Sequence, residues 1–212
     1  MDTPCPLCGS LRERAFEAAG RPFLRCAGCG LISVPVGFHL DLTEQRRRYD
    51  LHENDPDDPK YRGFLSRLTS SLVPLLEPGA SGLDYGCGPG PALVAMMREA
   101  GFRMDGFDPI YAPDERLLKR RYDFVTCTEV AEHFSDPAAE WRRVARLVRP
   151  GGLLAVMTSF TDDVPDLTSW HYLRDETHVC FYARGTMEWI ARTMGSEVAF
   201  PAKDVAIFGD LG

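Results

Sequence analysis

A chain of 212 residues holds one ordinary domain, or one of about 170 residues carrying a small appendage. Charged residues at 26% beside 44% hydrophobic ones exclude wholesale disorder, and no apolar run reaches the roughly 18 residues of a membrane span. A net charge of −7 argues against a protein whose main partner is a phosphate backbone.

The first element is a cysteine module. Cys5-Pro6-Leu7-Cys8-Gly9 and Cys26-Ala27-Gly28-Cys29-Gly30 repeat C-x2-C with a glycine directly after, seventeen residues apart. A tight turn of that shape aims two thiolates at one ion, and four thiolates suit tetrahedral Zn²⁺ in a closed, structural site. Two unrelated thiol pairs, or a redox C-x-x-C, are the other reading. A segment of this size cannot build a core alone, so metal binding would supply its folding energy. Seven cysteines, an odd number, after a start (Met1-Asp2-Thr3-Pro4-Cys5) without a signal peptide's basic and apolar regions, point to a reducing, cytoplasmic compartment.

Residues 35–60 read as a connection with at most one short helix near 42–50. Its charge runs, Arg46-Arg47-Arg48 and Glu53 to Asp58, read as solvated faces. From Tyr61 the spacing turns helical, with Leu65, Leu68, Leu72 and Leu76 on one face until Pro78-Gly79. A short strand at 81–86 runs into a glycine turn, and a helix after Pro91 carries Leu93, Met96 and Met97. Strands follow at 102–107 and 123–127, with a short helix near 113–120 between them. Asp136-Pro137 opens a helix whose outer face bears Arg142, Arg143, Arg146 and Arg149, a solvated face rather than an RNA site. A strand at 153–157, a loop at 160–182, a helix ending before Gly195 and terminal strands at 197–200 and 205–208 complete the chain. The loop's Trp170, His171, Tyr172, Phe181 and Tyr182 read as a lid or acceptor wall, with ordinary packing as the other reading. Strands alternating with helices predict an α/β fold with a doubly wound, mainly parallel Rossmann-like sheet, behind the small zinc-ribbon-like module. The division expected is 1–34 zinc module, 35–60 connection and 61–212 catalytic domain.

In such sheets ligands sit beyond the carboxyl ends of the strands. Asp84-Tyr85-Gly86-Cys87-Gly88-Pro89-Gly90 lies at one such end, and its glycines let the backbone bend sharply against a ligand. The spacing G-x-G-x-G, followed by Pro91, departs from the dinucleotide fingerprint. Asp108 ends the next strand, where a carboxylate can accept from two ribose hydroxyls. Adenosine without a pyrophosphate fits both details.

Here the sequence resembles the class I S-adenosylmethionine-dependent methyltransferases, on Gly82 to Gly90, Gly106-Phe107-Asp108, Tyr122 to Phe134 and Arg149-Pro150-Gly151-Gly152. The resemblance spans about residues 61–212. It implies that residues 84–90 (Asp84, Tyr85, Gly86, Cys87, Gly88 and Gly90 among them) hold the amino-acid end of S-adenosyl-L-methionine and Asp108 its ribose. Thr128 and Glu129 would lie near the methyl group. Only thirteen residues separate Asp108 from Tyr122, too few for a full helix plus a third strand, so the adenine contact stays unassigned.

Glu129-Val130-Ala131-Glu132-His133, read as the opening of a helix, puts Glu129, Glu132 and His133 on one face. That segment resembles the ubiquinone-biosynthesis O-methyltransferases and the small-RNA 2′-O-methyltransferases. The resemblance implies a divalent cation such as Mg²⁺, held by Glu129, Glu132, His133 and a downstream histidine, here His178. Without a cation, His133 or His178 is the candidate general base, imidazole titrating near neutrality. The acceptor expected is a hydroxyl on a small or carrier-bound molecule, with no membrane partner. RNA is the alternative substrate, and a non-catalytic scaffold docking a partner through the zinc module is the alternative of another class. Oligomeric state is left open.

Overall fold

The computed structural model describes residues 3–51 and 55–210. Met1 and Asp2 of the start, and Glu53 and Asn54 of the acidic run, lie outside the described residues. The strands form two sheets. The smaller runs β1 (Arg12–Ala18), β2 (Arg21–Cys26), β3 (Ile32–Ser33) and then β8 (Cys180–Phe181), antiparallel throughout. The larger has the order β5 (Arg103–Phe107), β4 (Ser81–Tyr85), β6 (Tyr122–Thr128), β7 (Val148–Met157), β10 (Val205–Gly209) and β9 (Glu197–Ala202). Its first four strands are parallel, and β10 turns antiparallel against β7 and β9. This is the doubly wound, mainly parallel arrangement that the sequence predicts.

Alternation along the strands assigns each face its helices. Val125, Cys127, Leu154, Val156 and Phe208 share a buried cluster with Trp141, Val144 and Leu147 of α4 (Pro137–Leu147) and Met187 and Ile190 of α5 (Arg184–Met194). Phe124, Ala155, Met157 and Ile207 face the other way, onto Leu65, Leu68 and Leu72 of α2 (Pro59–Leu72) and Leu93, Val94 and Met97 of α3 (Ala92–Glu99). Each fully buried Leu contributes about 1.5–3 kcal/mol relative to exposure.

Local chemistry sets the helix ends. The Asp58 carboxylate accepts from the amides of Lys60 and Tyr61 with Pro59 at the first turn, and Asp136 accepts from Ala139 with Pro137 next to it. Gly195, at φ 66°, closes α5 in the left-handed conformation. The helix expected near 113–120 is absent, replaced by a single 3-10 turn at Leu117–Lys119. Pro113 interrupts the segment, and Asp114 turns back to accept from the Arg116 amide, a local bond that competes with helix formation. With no strand inserted there, β5 is the sheet edge.

Candidate active site

The carboxyl ends of β4, β5 and β6 open into a cleft of 1130 Å³. Tyr85, Gly86, Cys87, Gly88, Asp108, Thr128, Glu129, His133 and His178 line it. Asp84 and Gly90 stand behind that lining.

The glycine turn has little room for any other residue. Gly86 sits at φ 86° and Gly88 at φ 64°, and a Cβ on Gly86 would come within 2.3 Å of Val130. Asp108 holds the turn from the next strand. Its Oδ2 accepts from the Gly88 amide at 3.1 Å, and its Oδ1 accepts from the amides of Ile110 and Tyr111 at 2.8 and 2.9 Å. One carboxylate thus shapes the turn and the loop after β5, and keeps acceptor capacity for a ligand hydroxyl. Behind the turn, Asp84 accepts from the Thr126 hydroxyl at 2.7 Å, and burial pushes its carboxyl up to about 7. At the end of β6, Thr128 Oγ1 is buried and without a partner among the described residues. An orphaned hydroxyl in a cleft is satisfied by what binds there. The residues present fit an adenosyl amino acid: open backbone at the turn, a carboxylate with spare acceptor capacity, and an unpaired hydroxyl at the end of β6.

The segment after β6 is not the helix opening expected. Glu129 adopts φ 52°, and only Ala131–His133 coil, in one 3-10 turn, before Asp136 caps α4. The left-handed residue turns the chain sharply away from the strand, so Glu129 and Glu132 meet through a neighbour instead of a helix face. That neighbour is Tyr172, whose hydroxyl lies against Glu132 and 3.2 Å from Glu129 Oε2. Thr158 also donates to Glu132, at 3.0 Å. Burial, then the charge of Glu132, pushes the Glu129 carboxyl up to about 9. Ligand atoms of Glu132, His133 and His178 lie within 4.8 Å of one another, and Glu129 is outside that group. The two imidazoles are oriented alike. His133 Nδ1 lies 3.1 Å from the Thr177 carbonyl and His178 Nδ1 2.9 Å from the Tyr172 carbonyl. A carbonyl only accepts, so each Nδ1 carries the proton and each Nε2 is left with its lone pair. Desolvation lowers the His178 pKa and keeps that ring neutral.

Cys5, Cys8, Cys26 and Cys29 converge in the same way, all four sulfurs within 4.8 Å of one another. Cys5 and Cys29 sulfurs are 3.7 Å apart, and the amides of Gly28 and Cys29 point at Cys26 Sγ at 3.3 and 3.4 Å. Sulfurs around a tetrahedral zinc stand roughly 3.8 Å apart, which matches the tetrad.

One part of the cleft has no counterpart in the sequence reading. Gln45, Arg46 and Tyr49 of α1 (Leu42–Tyr49) line it, so one side of the basic run faces the site. Tyr172, Phe181 and Tyr182 are buried and do not line the cleft, so they pack in the core, with Tyr172 also bonded to Glu132 and Glu129. The sequence did not signal the part played by α1, whose charge run read as a solvated face, whereas packing was one of the two readings of the loop's aromatics.

A family profile described as "Methyltransferase domain" matches residues 58–199, more than half of the chain. The chain belongs to that family, and its fold is that of the class I S-adenosylmethionine-dependent methyltransferases. Among named proteins, it is 34% identical over 119 residues to the ubiquinone biosynthesis O-methyltransferase of Citrobacter koseri, 45% of this chain and 47% of that one. It therefore spans about half the length of the curated relatives it matches. In fold it is similar to the 1,6-didemethyltoxoflavin-N1-methyltransferase of Burkholderia thailandensis, solved with S-adenosylhomocysteine. The TM-score is 0.52 at 16% identity, covering 94% of this chain and 100% of that one. It is also similar to a chain of the complex between the Haloferax volcanii Trm112 methyltransferase activator and a methyltransferase. There the TM-score is 0.50 at 14% identity, covering 74% of this chain and 96% of that one. Among the described residues no helix is long and apolar enough to cross a membrane.

Proposed function

We propose that the protein transfers a methyl group to a hydroxyl of a small or carrier-bound acceptor. When bound, S-adenosylmethionine supplies an electrophilic methyl on a sulfonium. The chain's own residues hold the cofactor through the glycine turn, Asp108 and Thr128, and present His178 Nε2 as the base that takes the acceptor's proton. The observation that carries the reading is the pair of imidazoles, each with Nδ1 tied to a backbone carbonyl and Nε2 without a hydrogen bond among the described residues, that of His178 standing 3.7 Å from Asp175 Oδ2. The alternative, in which His178 Nε2 is a ligand and not the base, is a divalent cation on Glu132, His133 and His178 with Glu129 beside it, because ligating histidines are held through the other ring nitrogen. Mg²⁺ there would lower the pKa of a bound hydroxyl. Transfer needs mainly alignment of acceptor, methyl and sulfur.

In this reading residues 1–34 are a structural zinc module on Cys5, Cys8, Cys26 and Cys29, 35–60 a connection and 61–212 the transferase domain, in a reducing, cytoplasmic compartment. The partial match to an O-methyltransferase supports the hydroxyl acceptor. Against RNA, two of the four arginines expected on one helix face are paired, Arg143 of α4 with Glu140 and Arg149, which lies in β7 and not on the helix, with Asp123.

Labelled cofactor with a catechol and diol panel, with Mg²⁺ or with chelator, tests the assignment. Turnover that His178→Ala abolishes, with S-adenosylhomocysteine binding intact, is expected. Loss of both, or of neither, refutes the role of His178. Tight cofactor binding without turnover of any hydroxyl replaces the enzyme reading with the scaffold, and turnover of RNA alone replaces the acceptor class.

A further inference from the structure

The site described above makes no use of Arg21, a guanidinium 6% exposed at the start of β2 in the cysteine sheet. Its Nη1 donates to the carbonyls of Glu176 and His178, at 3.1 Å each, and its Nη2 to those of Leu173 and Asp175, at 2.7 and 2.9 Å. All four acceptors fall within six residues, on the loop that carries His178. Its Nε has no partner among the described residues, and carbonyl dipoles with the nearby charges of Glu176 and Asp175 offset the cation. A buried charge is tolerated only where its donors are met, and four inward-turned carbonyls leave the loop one path. That path sets His178, because the carbonyl fixing its ring belongs to Tyr172 in the same segment.

The rest of the module grips the same stretch. β3 pairs Ile32 with Phe181 and Ser33 with Cys180, and the Val34 amide donates to the Val179 carbonyl at 2.9 Å. Cys5, Cys26 and Cys29 lie in one apolar cluster with Tyr172, Leu173, Val179 and Phe181, a cluster that extends to Tyr85 and Phe107 of the larger sheet. The glycine turn and Asp108, in contrast, hang from β4 and β5 of the larger sheet.

We propose that the cysteine module is the mould of the acceptor side of the cleft, with Arg21 as the positioning residue that sets the 173–178 loop and through it the His178 ring. The cofactor side does not depend on it. The link to acceptor chemistry rests on the role of His178 argued above, whereas the mechanical tie does not.

The test compares wild type, Arg21→Lys, Arg21→Met and chelator-stripped wild type under reducing conditions. Hydrogen exchange is followed in peptides covering 171–182 and 84–90, beside calorimetry with S-adenosylhomocysteine. Arg21→Met and the stripped protein should exchange at least about tenfold faster over 171–182, the scale of losing charge-assisted hydrogen bonds. Peptides over 84–90 should keep their protection, and affinity for S-adenosylhomocysteine should hold within about twofold, less than the tenfold that 1.4 kcal/mol represents. Arg21→Lys keeps the charge without the four-way reach and should fall between. Should Arg21→Met fail to fold, the Lys variant and the stripped protein carry the same comparison. Unchanged exchange over 171–182 overturns the tie, and equal loss over 84–90 or of cofactor binding overturns its selectivity. With an acceptor from the diol panel, kcat/KM for the acceptor should drop while KM for the cofactor holds. Faster loop exchange without that drop leaves the tie standing and refutes the role of His178.

Discussion

Asp108→Asn separates the two tasks of one carboxylate. The side chain keeps its shape but has one oxygen where Asp108 has two. With that oxygen toward the amides of Ile110 and Tyr111, the new NH₂ faces the Gly88 amide, donor against donor, where the native bond is 3.1 Å. A hydrogen bond to a charged group contributes about 1.5–3 kcal/mol, so the apo protein should lose stability of that order. Binding loses the charged acceptor for the ribose and a correctly shaped turn together. Affinity for S-adenosylhomocysteine should weaken by about 10- to 100-fold. Asp108→Ala orphans all three amides and should cost more on both counts. Calorimetry with S-adenosylhomocysteine beside thermal unfolding reads both quantities. Affinity within twofold of wild type in Asp108→Asn, with the melting temperature lowered, would show that the carboxylate shapes the loop alone and does not reach the ligand.

Other perturbations probe the same cleft. Gly86→Ala forces a Cβ into Val130 at a φ that L side chains avoid, so cofactor binding should vanish; tight binding would refute the turn geometry. Asp84 and Glu129, pushed up by burial to about 7 and about 9, hold protons that the unfolded chain has released above about pH 4. Their stabilisation is whole below about pH 4 and is lost as pH rises through 7 toward 9, while the lowered His178 matters only at the acid end. The apo melting temperature should therefore fall between pH 6.5 and 9, the window of Glu129, and flatten there in Glu129→Gln; a rising profile contradicts it. A sulfonium beside those groups favours their ionised forms, so binding of S-adenosylmethionine at pH 7.5 should release protons, seen as a buffer-dependent enthalpy. Identical enthalpies in Tris and phosphate would sink that coupling.

What could be read from the sequence was local. Pro59, Pro137 and Gly195 punctuate helices by their own backbone limits, and the leucine spacing of α2 reports its buried face. The glycine turn and Asp108 were legible because their chemistry depends on strand ends, which the pattern of strands also gives. The segment Glu129 to His133 was misread as a helix because its spacing fits one, while the left-handed turn at Glu129 has no signature in a non-glycine residue. Arg21 was silent for a different reason. Its partners are backbone carbonyls more than 150 positions away, so no side-chain type marks them. The same holds for β8, two residues long and paired to a strand from the far end of the chain.

The short passage between Asp108 and Tyr122 has a consequence outside the cleft. Among the described residues β5 has β4 alone beside it, so one row of its peptide groups is open to whatever strand approaches. Such rims invite chain-to-chain stacking unless something interrupts them. Here the rim is only five residues long, carries an exposed Arg103, and has Asp105 held by Arg120 from the following loop. A fold trimmed of its outermost layer has left those few ionic side chains to guard against aggregation. Apolar replacements at 103 and 105 would remove that guard while leaving the chemistry of the cleft untouched.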